Sequence, residues 1–228
     1  MSKGYISIFI GVFGAGKDTQ AKLLEDKGLV RTFSVGQILR DASKDMPWLK
    51  EYLLAGTLVP TDKLAEILIN FFNHLALQKV KHLIITGFPR VFSQIDVLKR
   101  LIKETGLKFY KAFNFVLEDA QIADRILHRY VCPKCGALYN LRTNPPKDDT
   151  RCDFDGAALV KRQDDNLKTL CRRYTVFVKQ TIPVIEYFRK LGCLVDIDAN
   201  RTIKEIQKDL EEYFTKEVIQ SCDAFVVQ

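Results

Sequence analysis

The stretch Gly11-Val12-Phe13-Gly14-Ala15-Gly16-Lys17-Asp18-Thr19 constrains this chain more than any other. It follows an apolar run, Tyr5 to Ile10, and leads into a helical pattern from Gln20 to Lys27, so it reads as the turn between a strand and a helix. Gly11, Gly14 and Gly16 let the backbone turn tightly and aim consecutive N–H groups at one spot. The helix N-terminus adds about half a positive charge there. A phosphate chain suits such a site. Lys17 supplies a mobile cation for the outer phosphates, and a neighbouring hydroxyl would ligate magnesium. Asp18 stands where that hydroxyl usually sits, and Thr19 follows it.

Apolar runs and amphipathic helices alternate along the rest of the chain. Strands are expected at Leu29 to Phe33, Leu83 to Thr86, Ala112 to Leu117 and Cys193 to Ile197. Between them, Leu64, Ile67, Leu68, Phe71, Phe72 and Leu75 recur at helical spacing, as do Ile95, Leu98, Leu101 and Ile102. Trp48 to Ala55 reads as a helix ending at Gly56. Ser34 and Ser93 are placed to cap helices. Glu118 to Arg129 is a further helix, Asn166 to Leu191 a long one kinked near Pro183, and Thr202 to Phe214 a closing one. The pattern predicts an α/β fold with a five-stranded parallel sheet flanked by helices. Gly87-Phe88-Pro89-Arg90 falls at the carboxyl edge of that sheet, where open α/β folds place ligands. His74 and His82 are expected at the polar edges of their elements. The residues after Thr215 either extend the last helix or fray.

The 228 residues suffice for one substantial core and a small insertion. A net charge of +7 and a pI near 9.0 fit either nucleic acid or a pocket for polyanionic nucleotides. No apolar run approaches the length of a membrane span, and the first strand begins too early for a signal peptide. The expectation is a soluble, cytoplasmic protein without disulfides. Between Val131 and Lys161 the alternation stops. Cys132-Pro-Lys-Cys135-Gly136 and Cys152-Asp-Phe-Asp155-Gly156 form two knuckles, each with ligand-type residues separated by two others and followed by glycine. Cys132, Cys135, Cys152 and Asp155 would close a tetrahedral, structural zinc site, with Asp153 a nearby competitor for Asp155. A segment of that length builds no core of its own, so the metal would set its fold. Cys171, Cys193 and Cys222 read as buried small hydrophobes.

Arg40, Arg90, Arg125, Arg129, Arg162 and Arg173 attach to these motifs, with Arg125 and Arg129 four apart on one helical face. A reaction between two nucleotides assembles several phosphates, and planar cations converging from different segments are what it requires. Alignment and charge neutralisation then do most of the catalysis.

Together these motifs resemble the adenylate kinase family of nucleoside monophosphate kinases, in its long form with a zinc-type lid. The resemblance spans Ile6 to about Leu210. It covers the P-loop from Gly11 to Gln20, Phe33-Ser34-Val35-Gly36-Gln37-Ile38-Leu39-Arg40, the turn Gly56 to Pro60 and Gly87-Phe88-Pro89-Arg90 with Gln94. It continues through Arg125 and Arg129, Arg162-Gln163-Asp164-Asp165 with Arg173, and Asp198-Ala199-Asn200-Arg201. It implies a P-loop NTPase core (1–33, 82–130 and 162–228), a helical monophosphate-binding insertion (34–75) and a zinc-type lid (131–161). The implied activity is reversible transfer of the terminal phosphoryl group of Mg-ATP to AMP, giving two ADP.

On the same basis the catalytic residues would be Lys17, Arg90, Arg125, Arg129, Arg162 and Arg173. Gly14, Ala15, Gly16, Lys17, Asp18, Thr19, Arg125 and Arg201 would bind the donor. Ser34, Arg40, Leu58, Val59, Gly87, Arg90, Gln94, Arg162 and Arg173 would bind the acceptor. Implied cofactors are Mg2+ with ATP and a structural Zn2+; the partners are the nucleotides ATP, AMP and ADP, with no nucleic acid, no membrane and a monomeric chain. Thr86 stands where the family usually carries an aspartate that holds magnesium through water, and Asp18 where it carries glycine; Gln37 and Thr61 replace residues usually acidic. Other readings are a kinase for UMP, CMP or GMP, a catalytically weakened nucleotide-binding regulator, and a zinc module contacting RNA. The last finds few aromatics in the knuckles, only Tyr139 and Phe154.

Overall fold

The computed structural model describes residues 4–73, 80–148, 150–215 and 221–225. The first strand, β1 (Tyr5–Gly11), lies in the middle of a five-stranded parallel sheet ordered β2-β3-β1-β4-β7, with β2 (Arg31–Ser34), β3 (His82–Thr86), β4 (Lys108–Val116) and β7 (Leu194–Asp198). Two-residue periodicity sends Ile6, Ile8, Ile10, Leu83 and Ile85 to one face and Phe9, Ile84, Phe113 and Phe115 to the other, all at most 1% exposed. Each face has its own core. The first is covered by α4 (Thr61–Asn73), α5 (Ser93–Thr105) and α8 (Ile182–Lys190), through Leu64, Leu68, Leu98, Leu101 and Phe188. The second is covered by α1 (Lys17–Asp26) and α9 (Ile203–Phe214), through Leu24, Ile206, Leu210 and Phe214. Both faces being buried explains why β3 reads as a continuous apolar run.

The remaining helices are α2 (Val35–Ala42), α3 (Pro47–Ala55), α6 (Asp119–Leu127) and α7 (Leu167–Val176). Two short strands, β5 (Arg129–Val131) and β6 (Leu138–Asn140), pair antiparallel apart from the main sheet. No helix among the described residues is long and apolar enough to cross a membrane.

Several local expectations change. Arg129 is on β5 rather than on the helix before it: α6 ends at Leu127, and antiparallel pairing with Asn140 draws Arg129 into a strand. The long helix does not simply bend at Pro183. A π-helical turn at Phe177–Thr181 separates α7 from α8, and Pro183 sits in the first turn of α8, where its missing N–H costs little. Ser34 pairs with Thr86 as the last residue of β2 and makes no capping bond. Ser93 lies inside α5, because Phe92 already has helical dihedrals, and its Oγ meets Thr61 Oγ1 at 2.6 Å. His82 is fully interior instead of at a polar edge, 3% exposed, while His74 lies outside the described residues. Cys193 and Cys222 form a disulfide, their Cα atoms 5.8 Å apart, because residues 221–225 return to the sheet. Cys171 is exposed instead of buried.

Candidate active site

The chain crosses from β1 to β2 at one edge and returns through β3 beside β1, then passes to β4 and β7 on the other side, so the connections leaving β1 and β4 run in opposite directions. The loop after β1 therefore opens into the crevice that such a reversal creates. Gly11 is required there: a Cβ on it would lie 2.5 Å from the Phe115 carbonyl oxygen. Lys17, at the start of α1, folds back so that Nζ donates to the Gly11 and Val12 carbonyls at 3.0 and 2.6 Å.

A cavity of about 790 Å³ opens above this loop. Its wall includes Gly14, Ala15, Gly16, Lys17, Asp18 and Thr19 from the loop and α1, and Ser34, Arg40, Leu58, Gly87 and Arg90 from the facing elements. Arg125, Arg129, Arg162, Arg173 and Arg201 complete it. All the basic residues singled out in the sequence thus converge. Val59 is not on the wall; it is buried in the core at 5% exposure. Gln94 is likewise behind the wall, 2% exposed, and its Oε1 accepts from the Arg90 backbone N–H at 2.7 Å.

The cations are individually braced. Arg90 Nε donates to the Gly87 carbonyl at 2.8 Å, and Thr181 Oγ1 donates to the Arg90 carbonyl at 3.0 Å. Arg40 donates twice to Gln37 Oε1, at 3.1 and 3.0 Å. Arg129 makes a bidentate pair with Asp165 at 2.8 and 2.5 Å, and Arg173 pairs with Asp164. Arg125 Nη2 donates to the Ala199 carbonyl at 2.9 Å and Gln121 Oε1 at 3.2 Å. Arg201 reaches Asp209 at 2.7 Å beside the capping box of α9, which Thr202 and Glu205 form.

Crowding has an electrostatic cost. Burial depresses Lys17 to about 7, reinforced by Arg90 and Arg129 and opposed by Asp18. Burial and the neighbouring Arg129 and Arg40 bring Arg162 down to about 9; burial and Arg173 bring Arg90 to about 10. Cations that destabilise one another when buried create a site that favours several negative charges. Asp18 responds in the opposite sense: burial would raise its carboxyl, but the Thr86 hydroxyl and the field of Lys17, Arg162 and Arg40 hold it below the ordinary carboxylate range.

Sequence reading missed Gln121 and Thr181. Gln121 lines the cavity, and its Nε2 donates to Asn200 Oδ1 at 3.0 Å, tying α6 to the loop after β7. Its spacing of four from Arg125 was the available signal. Nothing local marks Thr181, because only the π-helical turn brings it to Arg90.

The two knuckles have the same backbone bonding. Gly136 and Gly156 N–H groups donate to the Cys132 and Cys152 carbonyls at 3.0 and 2.9 Å, and those cysteines' N–H groups to Ala137 and Ala157, both at 2.9 Å. One ligand atom from each of Cys132, Cys135, Cys152 and Asp155 lies within 4.8 Å of the others. Cys135 and Cys152 Sγ are 3.5 Å apart, and Cys132 Sγ is 3.2 and 3.3 Å from the Asp155 oxygens. A tetrahedral zinc ion needs ligand atoms about 3.7 Å apart, so the residues fit it. Asp153 instead accepts from the Lys147 N–H at 2.8 Å.

The family model described as adenylate kinase matches residues 9–193. This chain belongs to the adenylate kinase family. The adenylate kinase of Archaeoglobus fulgidus is 37% identical over 215 residues, covering 92% of this chain and 97% of that protein. Those of Caldanaerobacter subterraneus subsp. tengcongensis and Staphylococcus epidermidis are 35% and 34% identical, covering 90% and 89% of this chain and 94% and 95% of theirs. The loop after β1 is thus the glycine-rich loop of an adenylate kinase fold, and the cationic cavity lies where the reversal at β1 opens the parallel sheet.

Proposed function

We propose that this chain transfers the terminal phosphoryl group of ATP reversibly to AMP, giving two ADP. The observation that carries this reading is the convergence of Lys17, Arg40, Arg90, Arg125, Arg129, Arg162 and Arg173 on one cavity above the glycine-rich loop. Lys17 and the loop N–H groups hold the outer phosphates of the donor. Lys17 is free to turn from two backbone carbonyls toward a phosphate, exchanging neutral partners for a charged one. Arg125, Arg129, Arg162 and Arg173 neutralise the transferring group, while Ser34, Arg40 and Arg90 hold the acceptor phosphate. Leu58 and Gly87 pack beside the acceptor, and Val59 and Gln94 support it from behind the wall, Gln94 by fixing the Arg90 backbone. Arg201 and the loop after β7 flank the donor base.

Asp18 and Thr19 offer hard oxygen donors suited to magnesium, whose charge lowers the cost of bringing the phosphates together. Cys132, Cys135, Cys152 and Asp155 hold a structural zinc ion in segment 131–161, the roof of the cavity. Segment 34–75 forms the acceptor wall, and the remainder is the phosphate-binding core. The donor, acceptor and transfer roles above all fall on residues of one chain, and the enzyme is read as working as a monomer.

A coupled assay with ATP and each of AMP, UMP, CMP and GMP tests the reading. AMP is expected to be the preferred acceptor, and Lys17→Met to keep the native melting curve while losing about a thousandfold or more of the rate. Turnover with no monophosphate, or near-normal turnover of Lys17→Met, would sink it.

A further inference from the structure

Two residues of the cavity wall that are distant in sequence, Asp18 and Thr86, are in contact. The Thr86 hydroxyl, at the carboxyl end of β3, donates to Asp18 Oδ1 in the first turn of α1, across a sequence separation of 68 residues. Asp18 is also the one carboxylate on the cavity wall among the described residues. Despite its surroundings it forms no ion pair among them. The arginines that do pair take other partners, Arg129 with Asp165 and Arg173 with Asp164, and Lys17 turns to backbone carbonyls.

A carboxylate beside a loop that binds polyphosphate opposes its own ligand unless a cation stands between them. Lys17, Arg162 and Arg40, the cations whose field reaches Asp18, form no ion pair with it. Thr19, the next residue, adds a hydroxyl on the same wall. A carboxylate and a hydroxyl beside phosphates form the oxygen set that a small divalent ion takes, retaining several waters.

We propose that Asp18, steered by the Thr86 hydroxyl, is the carboxylate that positions the divalent cation accompanying ATP, an inference that rests on the phosphotransferase reading above. Thr86 supplies orientation without charge, and Asp18 supplies the charge from the other side of the contact.

The test is calorimetric titration of the full-length protein with the non-transferable analogue adenylyl imidodiphosphate, with Mg2+ and in buffer freed of divalent ions on a chelating resin, so that no chelator reaches the cysteine cluster. The quantity of interest is the ratio of the metal-free to the Mg2+ dissociation constant. Asp18→Gly and the isosteric Asp18→Asn should each lower that ratio at least tenfold, with metal-free affinity unchanged or improved because a repulsion is gone. Thr86→Val should lower it less. Thr86→Asp in the Asp18→Gly background should restore it, whereas Thr86→Asp beside Asp18 should not raise it by the same factor. Should the glycine variant not fold, the asparagine variant answers alone. A wild-type ratio near one, or Asp18 variants within twofold of the wild-type ratio, would overturn the inference and leave the phosphotransferase reading standing. Wild-type protein that binds the analogue in neither condition would overturn both.

Discussion

His82 sits among Tyr5, Tyr110 and Phe214, with ring centroids 6.0, 5.5 and 4.7 Å away. Its Nε2 meets Ser7 Oγ at 2.9 Å, while Nδ1 is buried without a hydrogen-bond partner. Burial drives its pKa from 6.5 to about 3. The unfolded chain therefore binds a proton through a pH range in which the folded protein does not, so stability falls as pH drops from about 6.5 toward 3. At pH 5 the loss from this residue is about 2 kcal/mol. Denaturant titrations across pH should show His82→Gln less stable at neutral pH but with a slope shallower by about one proton between pH 6.5 and 4.5; an unchanged slope would exclude His82 as the source. The sequence could not reveal this burial, since β3 begins at His82 and only the packing of β1, β4 and α9 encloses the ring. Lys17, by contrast, was legible in position, because its spacing from three glycines puts it at the start of α1 and on the cavity wall. The contact between Asp18 and Thr86 was legible only as two separate departures.

At the scale of elements, the strands were readable wherever apolar alternation and flanking turns agree. They were not readable where partners are distant: Arg129 joins a strand because Asn140 pairs with it, and the π-helical turn before α8 leaves no local signature. The knuckles were readable as one cluster because cysteine spacing carries geometry. Segment 131–161 has only a small cluster around Cys132, Tyr139 and Cys152 for a core. About one zinc per chain is expected by elemental analysis, and its removal with a strong chelator should unfold this segment while the sheet persists. Hydrogen exchange would then show protection lost from β5, β6 and both knuckles but kept in β1, β3 and β4. Protein purified without chelators and found metal-free would refute the zinc site.

At the scale of the molecule, residues 221–225 return to the core after the closing helix. Phe225 is fully buried, its ring centroid 4.5 Å from Phe109 and 5.2 Å from Phe188, and the Cys222 N–H donates to the Phe109 carbonyl at 2.9 Å. Phe225→Ala should lower unfolding free energy by about 3–5 kcal/mol in urea titrations, and a change under about 1 kcal/mol would mean that the tail contributes little to the core. Sequence alone left this tail open, because the disulfide and the aromatic cluster join positions that only the completed sheet brings together.

Val131 and Val160 exchange both backbone hydrogen bonds, at 2.9 and 3.0 Å, across the base of segment 131–161. Its entrance and exit are thus no farther apart than facing residues of a hairpin, and a two-residue turn spans that gap. Residues 132–159 form a cassette: excising them and closing the gap leaves the floor of the cavity, with Lys17, Arg40 and Arg90, where it is. The roof of this enzyme can therefore be lengthened, shortened or stripped of metal by events that never touch the sheet beneath it.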